Sequence, residues 1–379
     1  MPSFIALGHD MGDCMGKKLK KFGYLISALF WLVPVLLSLS KGSVAAPPAI
    51  ELPKIVTENK WWDKVILDVT ANEPTSAGTA AKWRQVAYLN NISYDDPMAF
   101  PGINNGSPHA HCFYGSVGVN ENSTHATIAK SKSSFQGGIF NRSSLWLECI
   151  QDATGKLVFG DQMLLYYLGD MLSISAQTTA EQRLVELQVR EDFPVDLEMI
   201  FNPQKTIINE VELIKAGHLI IYCRNLGTTA DPLGEVVTKK SIVGEIPICT
   251  DAESLAIKVK FPSCFDDRSK SSDGSHVAYP NTGDWRSANL INHCPSTHPR
   301  RTWGVFVFIN IPVPAGTTTE GWRLTAPFHL NYHHAFLDNK LTPPLWKIIV
   351  DDCFRSPHDC GTGLLGKTHT GLRSLPIVK

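Results

Sequence analysis

The sequence has almost no net charge. Its 35 Lys and Arg stand against 36 Asp and Glu, which leaves −1 at neutral pH over 379 residues. No basic run is long enough to follow a phosphate backbone, so nucleic acid is not an expected partner; that would favour a basic surface. There is no glycine-rich phosphate loop and no internal repeat, and a helical HExxH and a tight Cys/His spacing are also missing. Helix signals are scarce. Thr178 with Glu181 makes a capping-box pattern ahead of Leu184 and Leu187. Pro344 to Cys353 predicts a second short helix, with Leu345, Ile348 and Ile349 on one face.

Strand-like segments fill much of the rest. Leu145 to Ile150, Lys156 to Phe159, Met163 to Leu168, His218 to Cys223, Leu255 to Phe261 and Trp303 to Val313 are rich in Val, Ile, Phe and Tyr and bounded by turn residues. Lys64 to Val69 is a further candidate strand, whereas Trp61 to Ser93 as a whole has no clear pattern. LAIKVKF alternates apolar and polar residues, as a half-buried strand does, while GVFVFINI is nearly all apolar in its first half and predicts a central strand. Trp146 and Trp303 are expected in the core. The predicted fold is mainly β: antiparallel and sandwich-like sheets with a few short helices and long disulfide-stapled loops.

The amino terminus reads as a targeting element. Lys17, Lys18, Lys20 and Lys21 precede the apolar run Phe22 to Leu39, and Ser43-Val44-Ala45 offers small residues for cleavage. Residues 1–45 are therefore a signal peptide or, uncleaved, a signal anchor; the protein would be secreted or held at a membrane through Phe22 to Leu39. A Pro-rich stem opens residues 46–80, a single domain spans 81–360, and 361–379 is a loose tail. Of nine cysteines only Cys14 precedes the apolar run. The other eight suit an oxidising compartment. Sequons at Asn91, Asn105, Asn122 and Asn141 put candidate glycans on one region. Asn105 is the one expected to stay bare, because a glycan there would crowd His109 and His111.

The most informative stretch runs from Phe261 to Arg301, FPSCFDDRSKSSDGSHVAYP to CPSTHPRR. It reads as a loop stapled at its ends, carrying His276, His293 and His298 beside Asp266, Asp267 and Asp273. With DPMAFPGINNGSPHAHCFYGS (Asp96 to Ser116), SSLWLECI and FHLNYHHAF (Phe328 to Phe336), it resembles the motif series of the DUF1996 family, in order from about Trp83 to Cys353. The resemblance implies the bridges Cys223–Cys249 and Cys264–Cys294, with Cys353–Cys360 as a local clip and Cys112–Cys149 as the remainder; sequence alone leaves connectivity open. It also implies a secreted protein whose relatives often sit beside sugar-binding modules, hence an extracellular polysaccharide or wall glycan as partner.

Candidate chemistry follows from the histidines. His109 and His111 are two apart, so in an extended segment both rings reach one side. His276 and His298 lie in turns that present side chains from a scaffold, and His329 completes the candidate catalytic set with Asp273 as partner or orienter. Where the family pattern resembles His-x-Asp this chain has Asn331, an amide that does not act as a base; Asp338 is a candidate substitute. His333 and His334 read as solvated surface. Asp96 before Pro97 suits a turn. Trp285 and Tyr279 are candidate sugar-stacking groups. Three readings stay open: a carbohydrate-active hydrolase or lyase using a His/Asp site, in which the glycosidic bond needs paired carboxylates or a proton-moving histidine; a non-catalytic glycan-binding module; and a metal-dependent phosphodiester hydrolase, with His109, His111, His276 and His298 as imidazole ligands of a divalent ion.

Overall fold

A computed structural model describes residues 82–135, 141–168, 193–203, 207, 209–225, 237–271, 273–280 and 294–324, and the strand segments 66–69, 334–336, 359–362 and 372–374. The chain divides between Pro47 and Pro48, and all described residues lie in the second unit. The targeting segment, the stem before β1 and the two sequence-predicted helices lie outside the described residues.

Eighteen strands are described. They are β1 (Ile66–Val69), β2 (Lys82–Ser93), β3 (His111–Gly115), β4 (Ser144–Glu148), β5 (Ile150–Gln151), β6 (Leu157–Val158), β7 (Gln162–Leu168), β8 (Glu198–Ile200) and β9 (Leu219–Asn225). They continue with β10 (Val237–Lys240), β11 (Glu253–Lys260), β12 (Cys264–Phe265), β13 (Val277–Ala278), β14 (Arg300–Arg301), β15 (Gly304–Pro312), β16 (His334–Phe336), β17 (Asp359–Thr362) and β18 (Leu372–Ser374). Two short helices accompany them, α1 (His125–Ile128) and α2 (Glu210–Lys215). The fold is thus mainly β and antiparallel, as the strand-rich, helix-poor sequence predicts.

Thirteen strands make one sheet in the order β10-β9-β11-β15-β7-β2-β3-β4-β16-β8, with β1, β17 and β18 joined on beside β2. The turn of the sheet is in β2. Its residues Lys82 to Tyr88 pair with β7, Leu89 to Ser93 pair with β3, and the register shifts between Leu89 and Asn91. A bulge bends a strand and increases its twist, which is how one strand serves two layers. The Asn90 amide fixes the corner by donating to the Gly115 carbonyl at 3.0 Å and the Ser134 hydroxyl at 3.2 Å. Gly115 itself has φ +89°, and a Cβ there would strike the Ser143 carbonyl and the Phe135 ring. Only glycine fits that approach.

The core lies between the two layers. Leu255, Ile257 and Val259 of β11 and Val305, Val307 and Ile309 of β15 join one apolar cluster with Cys112, Tyr114, Leu145 and Leu147 of β3 and β4. Tyr114, Leu147, Ile257 and Ile309 line the same small cavity, so these faces oppose each other. β15 lies between β11 and β7. Its alternate residue Phe308 packs on the outer face with Tyr222 and Ala256, which explains the apolar run in its first half. Trp146 and Trp303 are fully buried.

Among the described residues three disulfides staple the fold: Cys112–Cys149, Cys223–Cys249 and Cys264–Cys294. Such bridges persist in oxidising compartments. Among the described residues no helix is long and apolar enough to cross a membrane. Cys353 lies outside the described residues, and with it the fourth pairing.

One sequence expectation is corrected here. Asn141 is not a surface residue: it is 1% exposed, and its amide donates to Gln85 Oε1 and, at 2.9 Å, to the Tyr167 hydroxyl. A glycan on that nitrogen would remove both bonds. Asn122 is exposed, while Asn91 is half-buried with its amide 3.3 Å from the Val119 carbonyl. In protein made by a glycosylating host, peptide mapping should find glycan at Asn122 and none at Asn141; an occupied Asn141 in folded protein would contradict this packing.

A buried histidine sets a pH dependence. His218 stacks on Tyr279 with ring centroids 3.6 Å apart. Burial lowers its pKa from 6.5 to about 3, and nearby Lys260 adds to the effect. The folded value lies below the unfolded one, so the unfolded chain takes up the proton first as pH falls. Stability should therefore decline below about pH 6.5 and level off near pH 3, with a slope approaching ~1.4 kcal/mol per pH unit. Burial lowers the His276 pKa as well, adding in the same direction. Denaturant midpoints measured from pH 7 downward check this, and His218→Phe, which keeps a ring on Tyr279, should flatten the curve.

Candidate functional site

His111 opens β3, and its backbone register places it opposite Glu148 of β4. Side chains directly opposite on one face are close neighbours. Both residues are buried, at 1% and 6% exposure. Phe113 follows on the same face and stacks on Trp146 at 5.6 Å, so the polar pair is backed by an apolar patch that also holds Val119 and Ile128.

The loop before β3 completes the arrangement. Asp96 Oδ1 accepts from the backbone N–H groups of Met98 (3.0 Å) and Ala99 (2.9 Å), the turn-forming role its place before Pro97 suggests. Its Oδ2 lies 4.0 Å from His111 Nε2. The other ring nitrogen of His111, Nδ1, is 2.9 Å from the Asp95 carbonyl. A carbonyl only accepts, so Nδ1 carries a proton. His111 Nε2 then meets His109 Nε2 at 3.0 Å, with the rings edge-on at 84°. That contact needs one proton between two nitrogens. When His111 is neutral, His109 donates from Nε2 and its own Nδ1 is left as a base; when His111 is protonated, it donates to His109. His109 is half-buried and reachable. His109 and His111 therefore meet as their spacing implies.

An open cleft of roughly 760 Å³ starts one residue after Asp96. Its walls are Pro97, Met98, Pro101 and Gly102, the segment Glu121 to Ala126, Asp196 and Glu198, and Lys270 with Ser271. Thr124 caps α1 through a capping box with Thr127, which turns His125 and Ile128 inward. His125 lies between two carboxylates: Nδ1 is 4.0 Å from Asp196 Oδ1 and Nε2 is 4.0 Å from Glu198 Oε1. Asp196 sits at φ +60°, a left-handed conformation that Asp tolerates better than most residues. Sequence reading passed over all three. Asp196-Leu-Glu198 has the same two-residue spacing as His109-Ala-His111 and was legible as two acids on one face; His125 was hidden behind the sequon at Asn122.

His276 and His298 are placed differently from their expected role. His276 is fully buried, with Nε2 2.5 Å from the Glu198 carbonyl and Nδ1 2.8 Å from the Ser271 hydroxyl. It joins the backbone of one cleft wall to the side chain of another, so it positions the cleft from behind. His298 bonds through Nε2 to the Ser275 carbonyl at 2.8 Å and through Nδ1 to Thr297 Oγ1 at 2.9 Å. His276 is engaged by Glu198 and Ser271 and His298 by its own loop, which corrects the expectation that they join His109 and His111.

Asp273 does not orient His276 either. It is fully exposed and accepts from Ser275, whose side-chain and backbone hydrogen bonds, with one from Ser271, lower its pKa to about 2. Burial pushes the Asp266 carboxyl up, but two guanidinium bonds from Arg268 to Oδ2, at 2.8 and 2.5 Å, and one from its backbone N–H to Oδ1 outweigh it and hold the group low. Asp267 pairs with Arg300 at 2.8 Å. Tyr279 is corrected too: one face of its ring is covered by His218, and its hydroxyl donates to the Lys260 carbonyl at 3.0 Å, so it is a packing residue and not a stacking platform. Trp285, His293, His329, Asn331, His333 and Asp338 lie outside the described residues. His334 falls in β16, in register with Trp146 and Ile200. Among the described residues no group of three or more His, Cys, Asp or Glu is arranged to hold a metal ion.

Residues 96–333 match the family described as Domain of unknown function (DUF1996). The chain belongs to the DUF1996 family. The match begins at Asp96, so the His109–His111 pair and the whole cleft lie within the DUF1996 domain. No curated protein matches the chain, and no solved structure does.

Proposed function

We propose that this DUF1996 protein is an exported enzyme that cleaves an extracellular polysaccharide, with the His109–His111 pair moving the proton and the adjoining cleft receiving the polymer. The observation that carries the reading is the 3.0 Å contact between the two Nε2 atoms, with the tautomer of His111 set by the Asp95 carbonyl. A reachable imidazole whose proton is shared with a buried partner suits general acid–base work near neutral pH. Asp96 and Glu148 stand beside His111 and favour the imidazolium that forms when the pair takes up a proton. The cleft is of the size that binds several sugar units. The disulfides, the leader-like amino terminus and the family's association with sugar-binding modules support an extracellular glycan.

The test is product release. The full chain incubated with a panel of wall and matrix polysaccharides should generate shorter oligosaccharides, and their new ends distinguish hydrolysis, which leaves reducing ends alone, from elimination, which leaves an unsaturated ring. A second reading, a glycan-binding module, is favoured by the engagement of both His276 ring nitrogens and of His298 in structural hydrogen bonds. Retention of oligosaccharides without any product would establish it in place of the enzyme.

A further inference from the structure

We infer that His109 and His111 form a two-imidazole chelate for a divalent transition-metal ion, copper(II) foremost, in which the ion takes the place of the proton that the two rings share. The inference concerns ion binding and goes beyond the polymer-cleaving reading. The two Nε2 atoms stand 3.0 Å apart. With metal–nitrogen bonds of about 2.0–2.1 Å, adjacent ligands of a tetragonal ion lie about 2.9 Å apart and those of a tetrahedral ion about 3.3 Å apart. The observed separation is nearer the first. Tetragonal sets of nitrogen and oxygen suit copper(II) or nickel(II), and copper(II) binds such ligands the more tightly of the two.

The surroundings of the pair favour an ion as well. His111 is held in the way metal-ligating histidines usually are: its Nδ1–H donates to the Asp95 carbonyl at 2.9 Å, which fixes the ring and leaves Nε2 as the ligating atom. Asp96 Oδ2 lies 4.0 Å from that Nε2, and Glu148 is opposite His111 in the strand register, so negative charge stands ready for a cation. Phe113 meets the His111 ring edge-on and stacks on Trp146, an apolar backing that limits water on that side. His109 is the movable arm. It is half-buried two residues before β3, and a turn of its ring opens the Nε2–Nε2 contact while His111 stays fixed. Of the four histidines that the sequence offers as ligands these two meet, whereas His276 and His298 are engaged in structural hydrogen bonds. Among the described residues no set of three protein ligands converges, so water completes the ion's coordination from the side of His109. The shared proton leaves Nε2 as the ion binds, because proton and metal compete for the same lone pairs.

The experiment is calorimetric titration of the full chain with copper(II) chloride, beside His109→Ala and His298→Ala, with paramagnetic resonance spectra of the bound ion. Other histidines of the chain also attract copper, so the result is read as a difference. The unaltered chain should bind one equivalent that His109→Ala loses or binds at least about tenfold more weakly. His298→Ala should keep that equivalent, and its spectrum should show two coordinated imidazole nitrogens. His111→Gln should lose it too; if that variant fails to fold, the nitrogen count carries the same information. Equal stoichiometry and affinity in the unaltered chain and His109→Ala, a single coordinated imidazole in the spectrum, or loss of the equivalent in His298→Ala overturns the inference. One consequence does rest on the polymer-cleaving reading: copper(II) should stop product release and a chelator should restore it. Copper binding at the pair without cleavage of any polysaccharide would sustain the inference and remove that reading, and cleavage without copper binding would do the reverse, so the two fail separately.

Discussion

His109→Ala should lower polymer cleavage by about a hundred- to ten-thousandfold, the usual range for a lost general acid or base, while the denaturant midpoint stays close to that of the unaltered chain. The two halves of this result belong together. His109 is half-buried two residues before β3 and meets the His111 ring edge-on, so its removal costs less packing than that of a fully buried ring. His111 behaves differently. It is 1% exposed, and its ring is held by the Asp95 carbonyl and packed edge-on to Phe113. Truncating it leaves a buried carbonyl without its donor, which costs about 1–3 kcal/mol, so His111→Ala should lose both rate and stability. Steady-state rates with urea unfolding on the same preparations separate the two. A His109→Ala protein that cleaves at the normal rate would remove the pair from the mechanism.

The second large effect concerns the bridge behind the pair. Cys112 and Cys149 close a loop across 37 positions. In the chain-entropy account a loop of that length stabilises the folded state by about 4 kcal/mol. Cys112→Ala with Cys149→Ala should therefore shift guanidinium unfolding by about that amount. The bridge neighbours the site in sequence on both strands: Cys112 follows His111 and Cys149 follows Glu148. The Cys149 N–H also donates to the Ala110 carbonyl at 2.9 Å, between the two histidines. Loss of the bridge should loosen the His111–Glu148 register, and cleavage should fall well before global unfolding on heating. Unfolding within about 1 kcal/mol of the unaltered chain would mean that β3–β4 pairing alone holds this corner.

The sequence was most legible where pattern and burial agree. LAIKVKF became β11 because its alternation matches a strand with one face in the core. GVFVFINI became the interior strand β15, with Val305, Val307 and Ile309 in the core and Phe308 in an apolar cluster with neighbouring strands on the other face. β2 was missed. Its polar residues Gln85 and Asn90 are buried and bonded at the sheet corner, and a corner strand changes its inward face at the bulge, which erases the period on which a sequence reading depends. For the site, two-residue spacing located His109 and His111, since local geometry alone brings them together. The partners of His276 were not legible, because Glu198 is 78 positions away and enters only through the tertiary fold. The same distance hid the cleft, whose walls come from four separated segments.

The order in which the chain is made acquires a cost from β2. Its first residues pair in parallel with Asp359–Gly361 of β17, through Cys360 opposite Trp83. A polypeptide synthesised from its amino end must present Trp83 long before that partner exists. Until the last part of the chain is complete, one side of the corner strand keeps bare amide and carbonyl groups, a template for pairing with other chains. Closure of this corner therefore waits on a contact completed late in synthesis, and a truncation near Cys360 should be felt first as aggregation of new chains.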